Sequence, residues 1–267
     1  MNTHPHPPMH AEPNEPMQWV KPSAGALWRW LKLGGQDLRR HPFNGGFYGV
    51  AFWLMAQMLS LVFQHKPEYA LSMVSGCLLV GPFLAMGLYD VSRRQELGLP
   101  QDFGSSLTCW GQHLKSMAML ILVLLVLELL WGRASLVIFA VFFNTGLPTT
   151  TRVIDVVFNS GNLDFLMVYG IVGAGFALLV YAFSVVSIPM ILDRDTDAIT
   201  ASITSMTVFA NHWPQMLGWG LMLTLGVIVA FLTPQMLGLL VIGLWLGHAS
   251  WHAYRGNVRW QSTPNES

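Results

Sequence analysis

Charge is what this sequence has least of: Asp, Glu, Lys and Arg make up 10% of 267 residues, and fourteen bases balance fourteen acids to a formal net charge of zero. So few charges cannot clothe a soluble domain of this length, and a balanced chain has no overall basic field to draw in nucleic acid. Cysteine is nearly absent too. Cys77 falls in an apolar run and Cys109 in a connecting segment, which excludes a disulfide framework and a thiolate metal site. No phosphate-binding glycine loop, nucleophile elbow, catalytic carboxylate pair or zinc-protease motif occurs, and no motif calls for a cofactor. What remains is apolar: 53% of the chain is hydrophobic, with 15 Met and 11 Trp. That is the composition of a membrane protein, whose first partner is the lipid bilayer.

Residues 1–23 run Met-Asn-Thr-His-Pro-His-Pro-Pro-Met-His and on through Glu12, Pro13, Glu15 and Pro16, with nothing to bury. A disordered tail is expected, and it lacks the basic start and short apolar core of a cleaved secretory signal. Residues 259–267 read the same way, leaving 24–258 as the transmembrane body. A bilayer core of roughly 30 Å takes about 20 helical residues. Suitable windows lie at Gly46 to Phe63, Ala70 to Tyr89, Ser116 to Trp131, Phe165 to Leu192, Met216 to Leu232 and Met236 to Tyr254. They predict an all-α integral membrane fold of six helices. Glu128 and Arg133 interrupt the third window, and a second apolar stretch, Leu136 to Phe143, follows at once. It is too short to cross alone, so one long, tilted helix emerging from the bilayer is expected.

With the N-terminus inside, the inner segments hold Lys21, Arg29, Lys32, Arg39, Arg40, Arg93, Arg94, Lys115, Arg194, Arg255 and Arg259, and the outer loops hold Lys66, Arg133 and Arg152. Eleven against three puts both termini in the cytoplasm. The longest outer connection, about 144–164, leaves room for a surface helix near 152–158. Mixed segments precede spans one, three and five: Gly25 to Arg40, Gly104 to Lys115 and Asp197 to Asn211. Each ends at a histidine, His41, His113 or His212, and the Trp/Lys/Arg mixture of the first suits the headgroup zone. The chain therefore reads as three repeats of an interface-lying amphipathic helix plus a two-span hairpin.

Each hairpin closes on a polar sequence: Tyr89-Asp90-Val91-Ser92-Arg93-Arg94, Leu192-Asp193-Arg194-Asp195, and His252-Ala253-Tyr254-Arg255. Those stretches, with Val80-Gly81-Pro82-Phe83, Trp131-Gly132-Arg133-Ala134, Ser187-Ile188-Pro189 and Gly247-His248-Ala249-Ser250-Trp251, resemble a family of bacterial predicted integral membrane proteins, domain of unknown function twenty-one eighty-nine. The resemblance spans about 25–258 and implies an inner-membrane protein of six helices without a known activity. His212-Trp213-Pro214 departs from the family's Gly-Pro pair there, so His212 is no family feature.

Several constellations invite chemistry. His248 and His252 stand four apart and share a helix face with Arg255, a metal-ligand spacing that lacks a carboxylate. Asp193, Asp195 and Asp197 surround Arg194. They could offer hard oxygens to a divalent cation, but capping explains them better: Asp195 or Thr196 starts the next helix and Asp197 favours its positive end. Arg93 and Arg94, after Tyr89 and Asp90, anchor the cytoplasmic face. Glu128 lies within a span, where an unpaired carboxylate is costly. Gly243-x-x-x-Gly247 and Gly170, Gly173 and Gly175 read as helix-packing seams, and Pro82 and Pro189 as breaks in spans two and four. Spans four and six both end inside, so Asp193 with Arg255, or Asp195 with His252, are expected to pair. These features favour a non-enzymatic scaffold or assembly partner working beside another membrane protein. The alternatives are a carrier or channel for a small solute or lipid, resting on Glu128 and the proline breaks, and a metal or haem protein resting on His248 and His252.

Overall fold

The computed structural model describes residues 17–23, 25–40, 42–66, 69–143 and 162–260. Their elements, in order, are β1 (Met17–Trp19), α1 (Ala26–Arg40), α2 (Pro42–His65), α3 (Ala70–Glu96), α4 (Phe103–Thr108), a 3-10 turn (Cys109–His113) and α5 (Leu114–Phe142). Then follow α6 (Leu163–Ser184), α7 (Ser187–Arg194), α8 (Ala198–Asn211), α9 (Trp213–Leu232), a 3-10 segment (Pro234–Leu240), α10 (Ile242–Asn257) and β2 (Val258–Trp260). Six helical stretches are long and apolar enough to span a bilayer: Gly45–His65, Met73–Glu96, Phe103–Phe142, Leu163–Arg194, Trp213–Leu232 and Pro234–Asn257.

The exterior is what water would not tolerate. Leu54 and Leu61 of α2, Leu122 and Leu129 of α5, Ile171 of α6, and Leu221 and Leu225 of α9 all stand exposed. Helices apolar on every side are covered by lipid wherever protein does not cover them. The interior fill is concentrated toward one end. Met86, Met117, Leu120, Leu124, Val186, Ile191, Trp251 and Tyr254 form its main cluster. A second cluster joins Trp30 of α1 to Trp219 of α9 and to Leu246, Ala249 and Ala253 of α10.

All three segments that precede spans one, three and five are helical. The first, α1, turns Ala26, Trp30, Leu31, Gly34 and Asp37 inward, the i, i+4, i+8 spacing of a single buried stripe. A Cβ on Gly34 would lie 2.5 Å from the backbone nitrogen of Ala249, so only glycine lets α1 and α10 meet this closely. Trp245 Nε1 donates to the Leu31 carbonyl at 2.7 Å beside that crossing.

Span three is one long helix, Leu114–Phe142, as expected, and it absorbs the second apolar stretch. Three other expectations need amendment. Span four is broken at Val185 and Val186, between α6 and α7. There Val186 N–H donates to Ser205 Oγ at 3.1 Å and Ser205 Oγ donates to the Ala182 carbonyl at 2.6 Å. The hydroxyl of α8 thus stands inside the i to i−4 bond that a continuous helix would have made, and Pro189 removes the next donor but two. Span six becomes α-helical only at Ile242; it is entered through a 3-10 segment in which Gln235 and Met236 adopt left-handed backbone, φ 50° and 57°. Trp53 Nε1 donates to the Gln235 carbonyl at 2.8 Å, and Gln57 donates to it as well. Finally, the two tails are not wholly without structure: Met17–Trp19 pairs antiparallel with Val258–Trp260, Met17 opposite Trp260. This ribbon places both ends of the described chain at one end of the bundle. The surface helix expected near 152–158 and the histidines of residues 1–16 lie outside the described residues.

Of the expected glycine seams, two positions pack tightly. A Cβ on Gly247 would stand 2.3 Å from Leu88 Cδ2, and one on Gly173 would stand 3.0 Å from Trp131. Gly170 and Gly175 meet nothing within 4 Å, and Gly243 meets only Leu239 at 3.9 Å.

Candidate functional site

At the end where β1 meets β2, the last turns of α3, α7 and α10 converge, and each brings charge. Asp193 of α7 is the hub. Its Oδ2 accepts from Tyr254 OH at 2.8 Å and lies 3.4 Å from Arg255 Nη1, both of α10. Its Oδ1 lies 3.6 Å from Arg93 Nε of α3, and Arg194 Nε stands 3.7 Å from Oδ2. Asp90 is almost fully buried and binds Arg94 Nε at 2.7 Å, with Arg93 at 3.7 Å. Glu96 closes the ring: Oε1 accepts from Arg255 Nε at 2.9 Å and Oε2 from Trp251 Nε1 at 2.8 Å. Four guanidinium groups thus face three carboxylates across three spans. Such ties hold geometry more reliably than they add net stability, because each ion gives up hydration to join.

Around this hub the remaining polar residues are sorted differently from the sequence expectation. Asp193 and Arg255 do meet, but Asp195 and His252 do not meet each other. Asp195 Oδ1 accepts from His113 Nδ1 at 2.7 Å, and His252 Nε2 sits 2.8 Å from Asp37 of α1. Asp195 also closes α7 rather than opening α8: it sits in the left-handed region at φ 50°, its N–H bonded to the Ile191 carbonyl at 3.1 Å. The cap of α8 is Asp197, whose Oδ1 accepts from the N–H groups of Ile199 and Thr200 at 3.0 Å each. Its hydrogen bonds with Thr200, side chain first and backbone next, and with Ile199 hold its carboxyl below the usual carboxylate range. Asp102 caps α4 the same way, through Gly104 and Ser105.

The two histidines four apart are committed to different elements. His248 Nδ1 is 2.7 Å from Ser92 Oγ of α3, deep in the bundle, while His252 turns to α1. Among the described residues no three His, Cys, Asp or Glu side chains assemble as a metal-holding group. Tyr89 packs against the core beneath the hub. Glu128 is buried far from it; its Oε2 accepts from Ser75 Oγ of α3 at 2.8 Å, so Arg133 is not its partner. Sequence reading missed Asp37, Glu96, Ser92, His113 and Tyr254 as members of this region. Asp37 and Glu96 carried a usable signal, the lone acid of an amphipathic helix and an acid three residues past Arg93; Ser92 and Tyr254 carried none.

Six apolar helices tied by a polar rim define a multi-pass helical membrane protein. Residues 70–193, from the first residue of α3 to the hub aspartate, match the family described as Predicted integral membrane protein (DUF2189). The match covers spans two to four with Asp90, Arg93, Arg94, Glu128 and Asp193; spans one, five and six, with His248, His252 and Arg255, lie outside it, a shorter reach than the resemblance of about 25–258. No curated protein and no solved structure matches the chain.

Proposed function

We propose that this chain is a non-enzymatic scaffold or assembly partner of the bacterial inner membrane, with both termini cytoplasmic. The observation that carries the reading is the Asp193 hub. Its carboxylate gathers Arg93 of α3 and Tyr254 and Arg255 of α10, so the rim charges serve to hold three spans in register and present one constructed face. The eleven-to-three distribution of Lys and Arg supports a cytoplasmic position for that face. The three-repeat organisation is supported by matching roles. Asp102 and Asp197 cap short helices, Ser106 and Ser205 each donate to a carbonyl of the span before, Gly87 and Ala182, and His113 and His212 each reach the end of their own hairpin, Asp195 and Asn257. The test is the size of the tagged chain extracted from native membranes. It should migrate in an assembly well above its 29.7 kDa, and Asp193→Asn combined with Arg255→Gln should disperse that assembly. A lone chain, unchanged by the substitutions, overturns the reading.

One observation favours a carrier as the second reading. Glu128 is 8% exposed in the middle of α5, and its Oε1 has no hydrogen-bond partner among the described residues. An intramembrane carboxylate with a spare acceptor is a common element of proton and solute pathways. Flux through proteoliposomes that is abolished by Glu128→Gln would establish this reading in place of the scaffold.

A further inference from the structure

Beside the hub, a pocket of about 390 Å³ opens between α1, the end of α3, the end of α10 and β2. Its wall carries two acids, and both are already engaged. Asp37 is bound to His252, and Glu96 is bound to Trp251 and Arg255. Three further wall arginines, Arg29 and Arg40 of α1 and Arg259 of β2, meet no carboxylate among the described residues. The pocket therefore sets four guanidinium groups against two carboxylates inside one concavity, three of them free to turn their forked donors to an oxyanion. A second observation points the same way. Trp30, 1% exposed and on the same wall, has an indole N–H without an acceptor among the described residues, and the neighbouring buried Gln95 Oε1 is likewise unpartnered.

Depth adds to the argument. Arg40 ends α1 and stands five residues before the span that starts at Gly45, and Arg255 lies in the last turn of α10, two residues before its end. The pocket mouth is thus level with lipid headgroups. Its volume lies within the ordinary range for small-ligand sites, about 300 to 1,000 Å³.

We propose that this pocket binds a phosphate-bearing anion, held by Arg29, Arg40 and Arg259, supplied either by the headgroup of an anionic phospholipid or by free phosphate. The site does not depend on the scaffold reading and stands equally beside a carrier. A general rim of positive charge would attract anionic lipid without stoichiometry; this site holds one phosphate group per chain.

The experiment uses the full chain in neutral detergent, read by native mass spectrometry and by thermal unfolding. Phosphatidylglycerol, phosphatidylcholine and inorganic phosphate are titrated separately. A saturable gain with phosphatidylglycerol at one molecule per chain, absent with phosphatidylcholine, identifies a lipid headgroup; a gain with inorganic phosphate alone identifies the free anion. In either case R29Q/R40Q/R259Q should weaken binding by about 100-fold. The matched control K32Q/R39Q/K115Q removes three exposed rim charges that do not line the pocket, and it should bind as the parent does. Arg259→Gln alone, on an exposed strand residue, gives the same direction without touching α1. Equal loss in the control, or no saturable binding of either probe, overturns the proposal.

Discussion

At the scale of single residues, the rim is an exercise in pairing charges that sit at one depth. Asp193 and Arg255 illustrate how far sequence reading reaches: both close a span at the same end of the bundle, and their contact at 3.4 Å follows from depth and sign. Asp195 and His252 illustrate where it stops. They share that depth too, but depth does not fix the angular position around the bundle, and His113 and Asp37 lie nearer to hand. A double-mutant cycle of Asp193→Asn and Arg255→Gln in detergent should show a coupling of about 1 kcal/mol, at the upper end for exposed pairs because Arg255 is about one-third exposed; additive effects would mean that the contact contributes nothing. The cap at Asp197 makes a pH prediction. Its carboxyl is held below the ordinary value of 3.8, so its contribution is fully present above that pH and is lost as the pH falls through its lower folded-state value. Asp197→Ala should therefore cost about 1 kcal/mol at neutral pH, and the gap in melting temperature from the parent should close on strong acidification. A gap that is constant with pH would show that the charge plays no part in the cap.

At the scale of elements, the spans were legible and their interruptions were not. Runs of about 20 apolar residues are dictated by bilayer thickness, and a reader needs no tertiary knowledge to find them. The break in span four depends on Ser205, nineteen residues away on a different helix, and the delayed start of α10 depends on the left-handed Gln235 held by Trp53. Neither partner is visible in the local sequence. The β1–β2 ribbon, three residues on each side and almost the whole chain apart, has no periodicity long enough to detect. The Ser205 wedge is directly testable: Ser205→Ala leaves Val186 N–H and the Ala182 carbonyl buried without the bridging hydroxyl, or forces them back into one helix. A loss of about 1 to 3 kcal/mol is expected, read as a lower melting temperature, whereas Ser202→Ala, one turn away from the bridging hydroxyl, should cost less. Equal effects at the two positions would remove the wedge.

At the scale of the whole molecule, six crossings, a lipid-facing exterior and a charged end bearing the β1–β2 ribbon form one arrangement. The apolar core, the capped short helices, the Asp193 hub and the arginine-walled pocket all lie toward that end, and the other end carries the connections that return the chain through the bilayer. The central claim is that the charged end is the cytoplasmic one, for the scaffold face and the anion pocket both take their meaning from the side they serve. The most direct measurement is a paired topology assay in cells, with a reporter active only in the periplasm fused after residue 267 or inserted between α5 and α6 near Asn159. The account predicts silence from the first and activity from the second; the reverse pattern, or activity from both, would contradict it.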